Sequence, residues 1–295
     1  GTEDASNSFY TLGIADPLAA VVGIRWGRRE VVPDRSVEGM TAFLVATLAT
    51  LAAEPKPLPV AHHERGLPAA LAAAKRVVFL GDSITHAGTY VDFIETVIRT
   101  RTPGWKGEII DLGLSSETVS GLSEPGHAGG SFLRPVVRER LGRVLAAYKP
   151  TLVVLCYGIN DGIFQPLDEV RFKAYRDGLT SVRADCLKAG AKVVLLTPPP
   201  YGVDKPADTA AYDEVMATYA SWLLQQRRFN WQVVDVRAPV LAAIATAKKT
   251  DAKFIFSRDG IHPGDEGHLM LAQATWEGLA PMMKWNPRTA FADPI

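Results

Sequence analysis

The side chains in this sequence whose types and spacing suit chemistry lie in three short polar clusters. Ser83 lies in Gly81-Asp82-Ser83-Ile84-Thr85, Asn160 in Gly158-Ile159-Asn160-Asp161, and Asp259 and His262 in Asp259-Gly260-Ile261-His262-Pro263. A serine at a strand-to-helix turn exposes its hydroxyl as a nucleophile, and its own N–H points into the same space. Imidazole titrates near neutrality and suits a general base. A carboxylate three residues before it reaches the ring within one turn and fixes its tautomer, leaving the other nitrogen for Ser83. The Asn160 amide can donate to a negative oxygen that develops on a carbonyl under attack. Taken singly, each cluster also has a plainer reading: Gly-Asp-Ser as a helix start, the Asn160 segment as a capping turn, and His262 as a structural loop histidine.

These clusters gain weight from the elements that must carry them. Apolar, β-branched runs at Val77–Leu80, Ile109–Leu112, Leu152–Tyr157, Val193–Leu196 and Val233–Val236 predict five short buried strands. Between them run helical stripes: Phe172, Tyr175, Leu179, Val182 and Cys186; Tyr212, Val215, Met216, Tyr219 and Leu223; Val137, Leu141, Val144, Leu145 and Tyr148. Strands alternating with helices imply parallel strands joined by right-handed crossovers, hence an α/β fold, a three-layer α/β/α sandwich around an open sheet. Such sheets bind ligands at the carboxyl ends of their strands, where Ser83 and Asn160 fall.

In this order and at these predicted loops, the clusters resemble the blocks of the SGNH hydrolases, the GDSL esterase and lipase superfamily. The resemblance rests on Ser83 in GDSIT, Asn160 in GIND and the Asp259/His262 pair in DGIHP, followed by Gly267-His268, and spans about residues 75–283. It implies a flavodoxin-like five-stranded sheet in the order 2-1-3-4-5 and ester hydrolysis through an acyl-serine. It also implies roles: Ser83 as nucleophile and oxyanion donor, Asn160 as a second donor, His262 as base and Asp259 as its partner. One block departs. Where the family commonly reads N-x-x-x-S-G-D-T, with the glycine N–H in the oxyanion hole, this chain reads Asp111-Leu112-Gly113-Leu114-Ser115-Ser116-Glu117-Thr118. The register puts Ser116 on the glycine, and Gly113 is the other candidate. Serine can supply the N–H, but a positive φ there would cost about 1 kcal/mol or more.

Composition bounds the partners. The chain has 295 residues, 47% hydrophobic, with 32 Lys+Arg against 32 Asp+Glu, the balance of an ordinary globular protein. A formal charge of zero and no long basic block give no reason to expect nucleic acid or an anionic membrane. No CxxC, HExxH or EF-hand pattern occurs, and His62-His63 lacks companions at ligand spacing, so neither metal nor cofactor is expected. Cys156 and Cys186 read as small buried hydrophobes.

The N-terminal third carries a different signal. Met40 precedes Thr41–Ala53, 13 apolar and small residues, too short to span a bilayer but of the length of an export signal's apolar region. Residues 1–39 are unassigned, 40–74 are expected as signal and linker, 75–283 as the hydrolase domain and 284–295 as a tail. The expected location is the periplasm or outside the cell, with the cytoplasm as the alternative, since no Lys or Arg stands between Met40 and the apolar run.

Specificity is expected in the loops Ser120–Pro135, containing Gly126-His127-Ala128-Gly129-Gly130, and Pro198–Asp204. His127 and Arg134 are candidates to meet a polar substrate such as a sugar. A small-molecule or carbohydrate ester bearing a short acyl group such as acetyl is the first expectation, in the absence of a long apolar lid. The alternatives are a lipid or thioester hydrolase and a non-catalytic binding module.

Overall fold

The computed structural model describes residues 30–32, 35–36, 74–102 and 104–279. The chain divides into two units, residues 1–64 and 65–295. In the first, Glu30–Val32 and Arg35–Ser36 form a short antiparallel pair, which no periodicity in residues 1–39 signals. The export segment expected within 40–53 and the tail expected at 284–295 lie outside the described residues.

The second unit carries the expected strands: β1 (Arg76–Gly81), β2 (Glu108–Asp111), β3 (Leu152–Cys156), β4 (Lys192–Leu196) and β5 (Gln232–Val234). Between and after them lie α1 (Ser83–His86), α2 (Thr89–Arg101), α3 (Val137–Tyr148), α4 (Glu169–Lys188), α5 (Pro206–Gln225), α6 (Arg237–Thr250) and α7 (Asp265–Leu279). The sheet is wholly parallel in the order β2-β1-β3-β4-β5. Three strands stop short of their apolar runs. Asp111 ends β2 by accepting the Gly113 N–H at 2.8 Å, and Asp235 ends β5 by accepting the Thr197 hydroxyl and the Ala238 N–H. The third, β3, stops at Cys156, one residue before Tyr157.

Helices cover both faces, which is why the strands read as continuous apolar runs rather than alternating ones. On one side α3 packs on α4, and α4 on α5 through the rings of Tyr175 and Tyr219, stacked 4.3 Å apart. On the other, α7 packs on α2 and α6. The predicted stripes are the core-facing sides of these helices, with Phe172 and Leu145 half-buried at their margins, and each fully buried large apolar side chain contributes about 1.5–3 kcal/mol. Tyr148 is the exception: it ends α3 at 37% exposure, where Lys149 turns the chain in the left-handed region. Cys156 and Cys186 are free and buried, and burial pushes the Cys186 thiol up to about 12.

Register is what the site inherits from the sheet. Gly81 pairs with Cys156, Cys156 with Leu196 and Leu196 with Val234, so four strands reach their carboxyl ends in one row. The segments after them therefore leave from one edge. The segment after β2 is pressed by α4: a Cβ on Gly178 would stand 2.1 Å from the Val119 carbonyl oxygen. Alanine is the better helix residue by about 1 kcal/mol, but this overlap is with backbone that cannot swing away. Gly178→Ala should therefore lower stability by about 1–3 kcal/mol, read as a lower urea midpoint. An unchanged midpoint would mean that the contact is loose.

Candidate active site

Ser83 is placed by the end of β1. Asp82 caps the one-turn helix α1, its Oδ1 accepting the Ile84 N–H at 3.0 Å, and Ser83 is the first helical residue. An N–H at that position has no partner within a helix, and among the described residues nothing else accepts it. The serine thus presents both a hydroxyl and a free N–H at the sheet edge.

His262 comes from the loop before α7. The Asp259 Oδ1 accepts the N–H groups of Ile261 and His262, both at 2.8 Å, and the Ser257 hydroxyl at 3.0 Å. Its Oδ2 meets the His262 Nδ1 at 2.6 Å, and the His262 Nε2 lies 2.7 Å from the Ser83 Oγ. Partial burial would raise the Asp259 pKa, but the hydrogen bonds from His262, Ile261 and Ser257 outweigh it and hold the carboxyl well below the usual range. An ionised carboxylate only accepts, so the Nδ1 carries the ring proton and the lone pair of Nε2 faces the hydroxyl. The loop is pinned from behind by Gly202, which donates to the Gly260 carbonyl at 2.8 Å, and by Asp204, which takes the Ser257 N–H at 2.8 Å and Lys248 at 2.7 Å.

Asn160 follows β3 and is buried. Its Oδ1 accepts from the Arg134 Nη1 at 2.9 Å and its Nδ2 donates to the Glu117 carbonyl at 3.4 Å. Ser116 adopts φ 66°, the left-handed region a glycine would occupy without strain. Its N–H has no acceptor among the described residues, whereas the Gly113 N–H is taken by Asp111 at 2.8 Å. Gly113 is instead a close-approach residue: a Cβ there would lie 2.1 Å from the His86 nitrogen.

The two loop residues expected to meet substrate are turned toward protein. Arg134 is 6% exposed, its Nε and Nη2 gripping both oxygens of Glu124 at 2.6 Å. The His127 ring lies 3.3 Å from Glu124 and edge-on to Phe132. Glu124, which organises both, carries no recognisable sequence signal, being one acid in a Gly-rich loop. Ser257 carries no such signal either.

Below the edge lie buried acids. Glu117 takes the Arg140 guanidinium at 2.5 and 2.6 Å and the Tyr157 hydroxyl at 2.6 Å. Asp161 accepts the N–H groups of Val119 and Ser120 at 2.9 and 2.8 Å. Burial pushes Asp161 up to about 6 and Asp82 up to about 7, against the backbone N–H groups that pull the other way. His268, stacked on Tyr90, is pushed down to about 4 by burial and so stays neutral. Because the folded pKa of Asp82 is raised, the folded chain holds a proton that the unfolded chain has lost. Its contribution to stability therefore falls as pH rises from about 4 to about 7. Asp82→Asn keeps the acceptor for Ile84 but has no charge to bury. Its stability relative to the parent should rise across that window by on the order of 4 kcal/mol, followed by urea unfolding at several pH values. A pH-independent difference would contradict the burial argument.

The sequence matches the model of the GDSL-like Lipase/Acylhydrolase family over residues 79–270. No curated protein matches it. Among solved structures, Axe2, an acetylxylan esterase from Geobacillus stearothermophilus, is similar at 20% identity and a TM-score of 0.50, over 71% of this chain and 95% of that one. LAE5, an alpha/beta hydrolase enzyme from the metagenome of Lake Arreo, Spain, is similar at 22% identity and a TM-score of 0.53, over 72% and 98%. At such identities the likeness is one of fold. The family match is of another kind, since it runs through Ser83, Asn160, Asp259 and His262: the chain belongs to the GDSL-like lipase and acylhydrolase family.

Proposed function

We propose that this carboxylic ester hydrolase removes short acyl groups, acetyl first among them, from a carbohydrate, with Ser83 as nucleophile. The observation that carries the catalytic part is the unbroken chain from the Ser83 hydroxyl through His262 to Asp259, at 2.7 and 2.6 Å. His262 takes the hydroxyl proton as the Ser83 Oγ bonds to the ester carbonyl carbon. The oxygen that becomes negative is held by the N–H groups of Ser83 and Ser116 and by the Asn160 amide. Collapse breaks the bond to the alkoxy oxygen, which leaves as alcohol with the proton from His262. Water then attacks the acyl-serine, giving its proton to His262, and Ser83 recovers that proton as the carboxylic acid departs. Asp259 stays ionised throughout and stabilises the imidazolium. No step calls for a metal or cofactor.

The substrate reading rests on the openness of the site and on the likeness to an acetylxylan esterase. The side chains of His262 and Asp259 are 46% and 52% exposed, so a bulky alcohol such as a sugar chain can stay in solvent while its ester reaches Ser83. A second reading has its own observation. Phe132 and Leu133, at 55% and 76% exposure on the Ser120–Pro135 loop, offer apolar surface to a longer acyl chain of a lipid or thioester. A binding-only module is the weaker alternative, because Ser83, Asn160, Asp259 and His262 are all present.

Among the described residues no helix is long and apolar enough to cross a membrane. Export remains our reading of Met40 and Thr41–Ala53. Expression in a bacterium that exports proteins should yield a chain starting shortly after residue 50, by mass spectrometry. A chain that keeps residues 40–53 would refute export.

Ser83→Ala should abolish hydrolysis of p-nitrophenyl acetate and acetylated sugars, a loss on the order of 10³-fold or more. Acetyl esters should exceed octanoyl esters and acyl-thioesters in kcat/KM. Unchanged hydrolysis by the alanine protein would remove the catalytic assignment, and a preference for octanoyl would replace the carbohydrate reading with the lipid one.

A further inference from the structure

A primary amide can face its surroundings in two ways related by a half turn, and the two put opposite polarity into a site. If Asn160 is to donate to an oxyanion, something must hold its oxygen away from the reacting carbonyl. Arg134 has the chemistry for this. Its guanidinium carries five N–H donors and no acceptor, so the atom of Asn160 that meets the Nη1 at 2.9 Å is the oxygen, and the amide nitrogen points elsewhere. One of that nitrogen's hydrogens goes to the Glu117 carbonyl at 3.4 Å, which leaves one over. The same Nη1 lies 3.5 Å from the carbonyl of Ser116, so a single guanidinium nitrogen stands beside oxygens of both residues proposed to complete the oxyanion hole.

The arginine is itself immobilised. Glu124 takes Nε and Nη2 in a bidentate pair at 2.6 Å, a geometry that fixes the guanidinium plane as a lysine ammonium could not be fixed. The ring of Phe164 lies 5.3 Å from its central carbon. Ile163 and Phe164 both adopt left-handed backbone, at φ 49° and 55°, a strained turn just after Asn160 that brings this ring beneath the arginine. Arg134 is 6% exposed, so its charge sits in a low-dielectric setting.

We infer that Arg134, clamped by Glu124, is a positioning residue that sets the polarity of the oxyanion hole by holding the Asn160 carbonyl oxygen, so that the amide nitrogen donates to the reacting oxygen. This rests on the acyl-transfer reading above. It turns a residue expected from sequence to meet substrate into one that acts through Asn160.

A double-mutant cycle on hydrolysis of p-nitrophenyl acetate tests it, with rates normalised to the acyl-enzyme burst. Asn160→Ala should lower kcat by about 10²- to 10³-fold. Arg134→Met, unbranched and apolar but without donors, should lower kcat by about 10- to 100-fold with KM unchanged, and should do almost nothing further in the Asn160→Ala background. Arg134→Lys should recover only part of the loss, since it cannot hold Glu124 and Asn160 together. A rise in KM with kcat unchanged would make Arg134 a substrate contact and overturn the inference. Losses that multiply in the double variant would do the same, leaving Arg134 as ordinary scaffold. Should Arg134→Met fail to fold, Glu124→Gln replaces it in the cycle: it too must lower kcat alone and lose its effect when Asn160 is alanine, and an unchanged kcat would count against the clamp. Failure of the esterase reading looks different, because the parent chain would then show no hydrolysis that depends on Ser83.

Discussion

Parallel strands in register finish together, and the turns that follow them must then crowd into one region of space. Gly81, Cys156, Leu196 and Val234 form that row, and Asp82-Ser83, Gly158–Asn160 and the Pro198–Asp204 loop all leave from it. A slip of one residue in any of these pairings would send the following turn off with its side chains on the opposite face. The register is held by burial on both sheet faces, which leaves no solvent-facing alternative for Val77–Leu80, Leu152–Cys156 or Val193–Leu196. The positions of Ser83 and Asn160 thus follow from hydrophobic packing.

The sheet does not place His262, and a second device does. Asp259 has two oxygens with different duties: Oδ1 gathers the N–H groups of Ile261 and His262 and the Ser257 hydroxyl, and Oδ2 orients the imidazole. The group that folds the loop is the group that selects the tautomer, so the two cannot come apart. Because both side chains are about half exposed, water screens this pair, and its value lies in orientation more than in stability.

Beneath the site the chain buries charge that a purely structural core would avoid. Glu117 takes Arg140 and Tyr157, Asp161 accepts the Val119 and Ser120 N–H groups through Oδ1 alone, and Arg134 holds both Glu124 and Asn160. Buried ion pairs contribute little net stability, because desolvation offsets their attraction. What they provide is direction: a bidentate pair has one geometry, whereas apolar side chains of the same volume would leave the loops 116–124 free to settle in several. The left-handed backbone of Ser116, which costs roughly 1–2 kcal/mol, persists in that setting.

Residue order alone is enough for the parts whose cause is local. Five apolar runs predict five strands because a buried parallel strand needs nothing but apolar residues, and helical stripes follow from a 3.6-residue repeat. Asp259 and His262 are legible together because three residues of separation put them within one turn, and Ser83 and Asn160 because each follows a strand. The rest depends on how the chain folds. It brought Ser83 and His262 to 2.7 Å across 179 residues of chain. It left the Ser116 N–H without an acceptor while Asp111 took that of Gly113, and it turned Arg134 inward to Asn160. Which donors are already occupied depends on partners brought together from segments distant along the chain, and neither residue type nor spacing records that.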